Sequence, residues 1–560
     1  MAEVTDTIVR LVREALEQEV EVPLSTPPDS AMGDYSVPCF RLAKGAGMAP
    51  VPLAQRLRDA LLERDLADFG ITRVDNHGPY LNFHLARGDV ASRVIGSVLR
   101  EGAGYGSGGS GTGERALVEH TSINPNASPH LGRARNAWIG DTLVRLLRFE
   151  GYDIEVRFFV NDVGRQIALL VLGVGDRNPG FNELLQIYVE ANRRLQADPG
   201  LGAQVTQLLE RLESGDAATR AAFRRVVEIS VRGMREVFAD ADVRYDSFDY
   251  ESDYLTPERS RKLVEQLRST GRLFEDEHGR LVLNLEGFEL PSRNPVLVIT
   301  RGNKTSLYVL RDMAYTLDKV AAAADLNLVV LGEDQKLYHR QLQAALSLLG
   351  TDAPAPVHYS FVLLGEGSMS SRQGNLVLLE DFVAEAKRKA AAELQARGHA
   401  ADPAVAKAVA YSALKYSFLR VANDKQVVFN WDQAMSFEGE SGPYLLYSHA
   451  RICSVLRKYG KELPAGADFT ALTARPEVEL IKLLDAMPDQ VARALRIRSP
   501  HVLANYAFAV ARQFSTFYHA CPILQEAAPL REARLLLAAA TRQVLANCLR
   551  VMGIEPLQRM

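Results

Sequence analysis

Apolar residues recur at helical spacing through 8–18 and again through 53–63, so both stretches predict amphipathic helices. At 80–85 the order Tyr-Leu-Asn-Phe-His-Leu alternates, which is the period of a half-buried strand. Residues 1–100 therefore read as a small α+β unit. The run EGAGYGSGGSGTG at 101–113 places glycine at about every second position, and such a backbone pays too much entropy to hold regular structure. A flexible linker and a domain boundary are expected over 101–114. Beyond it, a strand pattern at 116–120, an Asn/Pro turn, an amphipathic helix over about 135–150 closed by Gly151, and a strand at 154–160 make a βαβ unit. That unit favours a parallel, right-handed, nucleotide-binding sheet. Charged helical sequence over about 170–270 reads as an insertion. Strand patterns return at 281–285, 295–301 and 326–332, and from 381 to 560 the periodicity is helical throughout, at 403–421, 442–457, 476–495, 501–520 and 529–551. The expected fold class is multidomain α/β: an N-terminal α+β unit, a Rossmann-like parallel-sheet domain over 115–380, and an all-α C-terminal bundle.

At 560 residues the chain is too long for a single core. Its net charge of −4 excludes binding nucleic acid by bulk charge, so any RNA contact must come from local basic faces, shape and stacking. The four cysteines have no C-x-x-C spacing, which argues against a structural zinc and fits a reducing, cytoplasmic setting. The N-terminus mixes acids into an amphipathic helix and resembles neither a secretory signal nor a transit peptide. No apolar run is long enough for a bilayer, so no membrane partner is expected.

The densest chemistry lies between the first strand and helix of the βαβ unit, in VEHTSINPNASPHLGRARNAWIGD at 118–141. A helix N-terminus there offers free N–H groups and partial positive charge to a phosphate. Gly132 permits close approach, and His130 can donate to a phosphate oxygen. The short string alone is also compatible with a plain βα turn. The full string resembles the HIGH region of class I aminoacyl-tRNA synthetases, in particular the arginyl-tRNA synthetases, with S-x-N-P, then H-x-G-H, then R-N-x-x-x-G-D. Arg133 stands where the family has its second histidine. GSMSSRQGN at 367–375 is similar to the family's KMSKS loop, whose lysines neutralise the leaving pyrophosphate. Here Ser368 and Ser371 replace both lysines, Gln373 replaces a nearby one, and Arg372 alone carries charge.

The resemblance implies the following roles. His130, Arg133 and Arg372 are catalytic. His130, Gly132, Arg133, Met369, Ser370, Ser371 and Arg372 bind ATP, with Mg²⁺ on its phosphates. SLYVLRDMA at 306–314 supplies Tyr308, packing on arginine, and Asp312, bonding its guanidinium or amine. LGEDQ at 331–335 supplies Gln335, with His339 one turn on, and Asn124 holds the α-amino or carboxylate end. Glu275 in LFED aligns best as a second acid, with Glu277 its rival. NDVGRQ at 161–166 offers Asp162 and Gln166 as outer contacts.

MGDY, LAK and GPYLNF in 1–100 are similar to the family's N-terminal tRNA-elbow domain, which implies stacking by Tyr80 and base reading by Asn82; Phe83 reads as strand core. FEGESGPYLLYSHAR at 437–451 and the chain end through Met560 are similar to its anticodon-binding bundle, and make Tyr444, Tyr447 and Met560 candidate tRNA contacts. The implied activity joins L-arginine to tRNA(Arg) through an ATP-derived adenylate. The first step is expected to need tRNA, and the chain is expected to be monomeric. Two alternatives remain at this point: a catalytically weak or silent tRNA-binding paralogue, and a class I enzyme for another amino acid. The changed phosphate-side residues favour the first; missing zinc ligands disfavour a cysteine enzyme.

Overall fold

The computed structural model describes all residues except 1, 26, 28–31, 127, 292–294, 303–306, 365–376 and 399–401. The N-terminal helix Ala2–Leu16 and the helices Phe40–Ala46 and Pro50–Leu62 pack on an antiparallel sheet in the order Tyr35–Pro38, Tyr80–Leu85, Ile71–His77. Ile8, Leu53, Leu57 and Phe83 form its separate core. The next helix, Arg87–Glu101, belongs elsewhere: Val94, Ile95 and Val98 enter the large core shared with the C-terminal helices. Arg93 anchors it with a forked pair to Asp485 at 3.0 and 3.3 Å.

The glycine run is not a free tether. Gly102–Gly104 makes a 3-10 turn, Tyr105 is buried with its hydroxyl donating to Leu484, and Asn547 donates to the carbonyls of Gly102 and Tyr105. The amides of Gly108 and Ser110 donate to Glu150. A Cβ on Gly111 would fall 1.9 Å from the Tyr152 ring. Glycine serves close packing here, so composition that reads as flexible encodes a tight fit.

The central region is built on a five-stranded parallel sheet in the order Ala355–Tyr359, Leu326–Gly332, Arg115–Glu119, Asp153–Val160, Ser247–Tyr250. Strand succession runs outward from Arg115–Glu119 in one direction, then resumes on its other side. The switch point therefore lies between Arg115–Glu119 and Leu326–Gly332, and a doubly wound sheet opens its ligand crevice at the carboxyl ends of such strands. The edge strand Ser247–Tyr250 lies within the stretch expected to be a helical insertion; four residues with an internal aspartate carry no legible alternation. The strands near 281–285 and 295–301 form, with Leu273–Glu275, a separate antiparallel sheet.

The C-terminal helices follow the apolar periodicity closely, with two departures. The helix expected at 476–495 is two, Arg475–Asp485 and Met487–Arg496, because Pro488 cannot donate into a continuing helix. The short strand Val427–Phe429 pairs in parallel with Val362–Leu364 and ties this region to the sheet domain. Among the described residues no helix is long and apolar enough to cross a membrane.

Candidate active site

The strand Arg115–Glu119 ends in a chain reversal that aims its side chains into the crevice. Thr121 and Ser122 both take positive φ, +73° and +41°, a conformation that costs about 1–3 kcal/mol per residue and persists only where surroundings enforce it. Here they do: the Thr121 amide donates to Asn136 Oδ1 at 2.6 Å, Tyr245 donates to the Thr121 hydroxyl, and Phe159 N donates to Ser122 Oγ. Asn136 in turn donates to Val330 O, so the HIGH-like helix fixes both strands flanking the switch point. Gly140 lets His120 lie against that helix; a Cβ would sit 2.3 Å from its ring.

His130 caps the helix Leu131–Phe149, and its ring lies over Gly132, 3.1 Å from where a Cβ would be. Burial and then the neighbouring Arg133 push its pKa down, so the imidazole is neutral at neutral pH. Leu131 N donates to Val377 O and Leu379 N to Pro129 O, clamping the turn to the chain that leaves the KMSKS-like segment. Gly367–Asn375, with Met369, Ser370, Ser371 and Arg372, lies outside the described residues.

Below the turn opens a cavity of about 370 Å³. It gathers Asn124, Arg133, Tyr308, Asp312 and Gln335, five of the residues singled out from sequence, into one space. Asp312 comes from the first turns of the helix Tyr308–Ala321 and accepts from Tyr338 Oη at 2.7 Å. Burial raises its pKa; Lys319 and the Tyr338 bond lower it, and Glu119 raises it. Tyr308 is 53% exposed at the cavity mouth, its ring 5.0 Å from that of Tyr338. Gln335 ends the turn after Leu326–Gly332. Asn124 donates to Gln166, which also receives Asn126.

Several expectations are corrected by this geometry. Glu275 is exposed at the end of the Leu273–Glu275 strand and does not line the cavity, and Glu277 is exposed beside His278. The acids that do line it, beside Asp312, are Glu119 and Glu251 within and exposed Asp334 at the rim. Glu119 lies on the sheet strand and receives Lys319 Nζ at 2.6 Å; Glu251 receives Arg311 Nε at 2.5 Å. All four of these groups are buried. Burial, with Asp162 and Asp312 nearby, pushes Glu251 up to about 7 against the pull of Arg311. Asp162 is 1% exposed and spends both oxygens on Ser252, so it holds a loop; its neighbour Asn161 faces the cavity instead. His339 lines the cavity with Nε2 lacking a partner among the described residues, and burial lowers its pKa to about 4. Glu119 was within the quoted string, but a glutamate inside a strand reads as ordinary without the third dimension.

Residues 95–431 match the family of class I tRNA synthetase (R) catalytic domains, residues 2–85 the arginyl tRNA synthetase N terminal domain, and residues 445–560 the DALR anticodon binding domain. The arginine--tRNA ligase of Methanospirillum hungatei is 36% identical over 99% of both chains, and that of Methanocaldococcus jannaschii 33% over 99% of both. The chain belongs to the arginyl-tRNA synthetases. The Thermus thermophilus arginyl-tRNA synthetase superposes with a TM-score of 0.83 at 27% identity, covering 99% of this chain and 100% of that one. The Plasmodium falciparum enzyme gives 0.80 at 16% identity over 100% and 99%, a likeness of fold.

The residues expected to meet tRNA divide by exposure. Tyr80 is 42% exposed, edge-on to Phe40 at 5.7 Å, with a free face. Asn82 is 3% exposed and engaged with Ser36 and Asp75, so it holds the sheet together and presents nothing to a base. Tyr444 and Tyr447 are half-buried; the Arg451 guanidinium lies 4.7 Å over the Tyr447 ring and donates to its hydroxyl. Met560 packs against the main core.

Proposed function

We propose that the chain activates L-arginine with ATP and transfers it to the 3′-terminal adenosine of tRNA(Arg). The observation that carries this is a half-buried carboxylate, Asp312, sharing one cavity with the Arg133 end of the HIGH-like turn. Arginine enters with its guanidinium toward Asp312, which has one oxygen committed to Tyr338 and the other available for a charge-assisted bond. Glu119 flanks that position from the sheet, and Tyr308 covers the aliphatic stem. Asn124 and Gln335 hold the α-amino and carboxylate end at the mouth.

This orientation brings the arginine carboxylate to the α-phosphate of ATP, laid along the His130–Arg133 turn. The carboxylate oxygen forms a bond to phosphorus and the bond to pyrophosphate breaks. Neutral His130 donates a hydrogen bond to the phosphate without needing to titrate, and Arg133 supplies a permanent charge. Mg²⁺ arrives with ATP and offsets phosphate charge; among the described residues no cluster of three or more His, Cys, Asp or Glu could hold a metal of its own. Ribose 2′-hydroxyl attack on the arginyl carbonyl then releases AMP. Catalysis is by positioning and electrostatics, with no covalent enzyme intermediate.

ATP–pyrophosphate exchange with each amino acid, with and without tRNA, tests the reading. Exchange with arginine that depends on tRNA is the expected result. Absence of exchange with any amino acid would instead support a silent tRNA-binding paralogue, to which the altered Arg133, Ser371 and Gln373 would then belong.

A further inference from the structure

The substrate cavity contains more buried charge than a monocationic amino-acid side chain requires. Glu119, Glu251 and Asp312 line its inner part, while Asp334 is exposed and Arg133 stands toward the His130 turn. Two of the three are answered from within the fold: Glu251 by Arg311 at 2.5 Å, Glu119 by Lys319 at 2.6 Å. Asp312 has no ion pair among the described residues: its hydrogen bond comes from a neutral phenol, Tyr338, and Lys319 and Arg311 act on it only at a distance. The inner cavity therefore carries one uncompensated carboxylate, matching the single charge of a guanidinium. Lys319 sets that count. It leaves the same helix as Asp312, two turns on; the residue is 3% exposed, with its ammonium 4.4 Å from the Tyr315 ring centroid. A buried lysine is costly unless its charge is used.

We propose that Lys319 is a specificity-determining positioning residue: by neutralising Glu119 it fixes the cavity at one open negative charge, reserved for the guanidinium of arginine. This rests on Asp312 being the guanidinium contact. The groups that face Lys319 and Asp312 are Glu119 from the sheet, Arg311, Tyr308 and Tyr315 from their own helix, Tyr338 and His339 from the helix Lys336–Ser347, and Glu251 from the turn Glu251–Tyr254. Of the two cations among these groups, Lys319 and Arg311, only Lys319 touches Glu119. Without it, Glu119 and Asp312 become two carboxylates in one dry space, and one of them holds a proton into the neutral range. Arginine, cationic throughout, must then displace that proton, so binding weakens as pH falls.

The test measures arginine KM, ATP KM and kcat for the parent, Lys319→Met, Lys319→Arg and Lys319→Met/Glu119→Gln chains between about pH 6 and 8, with melting temperatures. Lys319→Met should raise arginine KM at least about tenfold at the acid end, with KM falling toward alkaline pH more steeply than in the parent and ATP KM little changed. Lys319→Arg should restore the parent slope. The double variant should also restore the slope, although not the affinity, because it returns the cavity to one open charge. An unchanged slope in Lys319→Met, or equal KM and slope in the Met and Arg variants, overturns the inference. So does a lowered melting temperature in Lys319→Met with no change of slope, which would mark a packing role only. If Asp312→Ala charges arginine normally, the pocket reading falls and this inference with it; if Asp312→Ala is dead and Lys319→Met keeps the parent slope, only this inference falls.

Discussion

The two ends of the substrate cavity are built on opposite plans. At the proposed arginine end, carboxylates are dense and held in place: buried Glu119 pairs with Lys319, buried Glu251 with Arg311, and half-buried Asp312 accepts from the neutral Tyr338. At the proposed phosphate end, the structure offers a neutral histidine, a helix N-terminus and Arg133, which has no carboxylate partner among the described residues. The difference follows from the ligands. A guanidinium is recognised by shape and charge together, so the carboxylates must be held before it arrives, and only a packed, dry setting holds them. Phosphates bring their own charge, so backbone N–H groups and one cation can suffice.

Breaking the arginine end should be the most damaging. Asp312→Ala is expected to lower kcat/KM for arginine about 100- to 1000-fold, since a charged buried bond is lost. Pyrophosphate exchange measures it; normal exchange would misplace the pocket. The same site carries a stability signature of the opposite sign. Burial raises the pKa of Asp312 above its unfolded value, so the ionised side chain works against folding at neutral pH. Asp312→Asn should therefore melt no lower than the parent at neutral pH while losing activity.

Next in size, Glu251→Ala deprives buried Arg311 of its carboxylate and should destabilise by about 3–5 kcal/mol in denaturant unfolding. With a folded pKa pushed up to about 7, Glu251 keeps its proton in the folded chain where the unfolded chain has lost it. The folded state then binds more protons, and stability falls as pH rises from the unfolded carboxylate range through about 7. Glu251→Gln should flatten that slope; an equally steep slope would show that another group titrates.

The phosphate end should respond more mildly and on a different parameter. Arg133→Ala should slow exchange about 10- to 100-fold in kcat and leave arginine KM nearly unchanged, and Arg133→His, which restores the family residue, should recover most of the rate. A change confined to arginine KM would erase the distinction between the two ends. The smallest effect is expected far from both. Tyr80→Ala should raise tRNA KM in aminoacylation about fivefold to tenfold, the scale of one stacked base, while Asn82→Ala should act on melting temperature instead. Equal tRNA effects from the two would mean that exposure is a poor guide on this sheet.

What the linear pattern could express, it expressed well. The C-terminal helices, the strand Tyr80–Leu85 and the βαβ unit follow from apolar periodicity, because helices and strands repeat over distances a sequence can display. Asn124, Tyr308, Asp312 and Gln335 were legible because each lies in a long contiguous string, and the fold brings them into one cavity. Those strings mark a family of active sites, and the chain belongs to that family.

The tertiary structure alone decided the rest, for a common physical reason: the informative partner lies far away in sequence. Glu119 is an unremarkable strand residue until Lys319 arrives 200 residues later, and Glu251 likewise until Arg311 does. Glu275 was singled out by local alignment, and the fold puts its strand in a separate sheet, outside the cavity lining. The glycines at 102–113 could signal either slack or close fit, and only Glu150, Tyr152, Met487 and Asn547, packed against them, choose the second. Sequence sets which groups are available. Burial and pairing across the chain set which of them remain charged, and so which can hold a substrate.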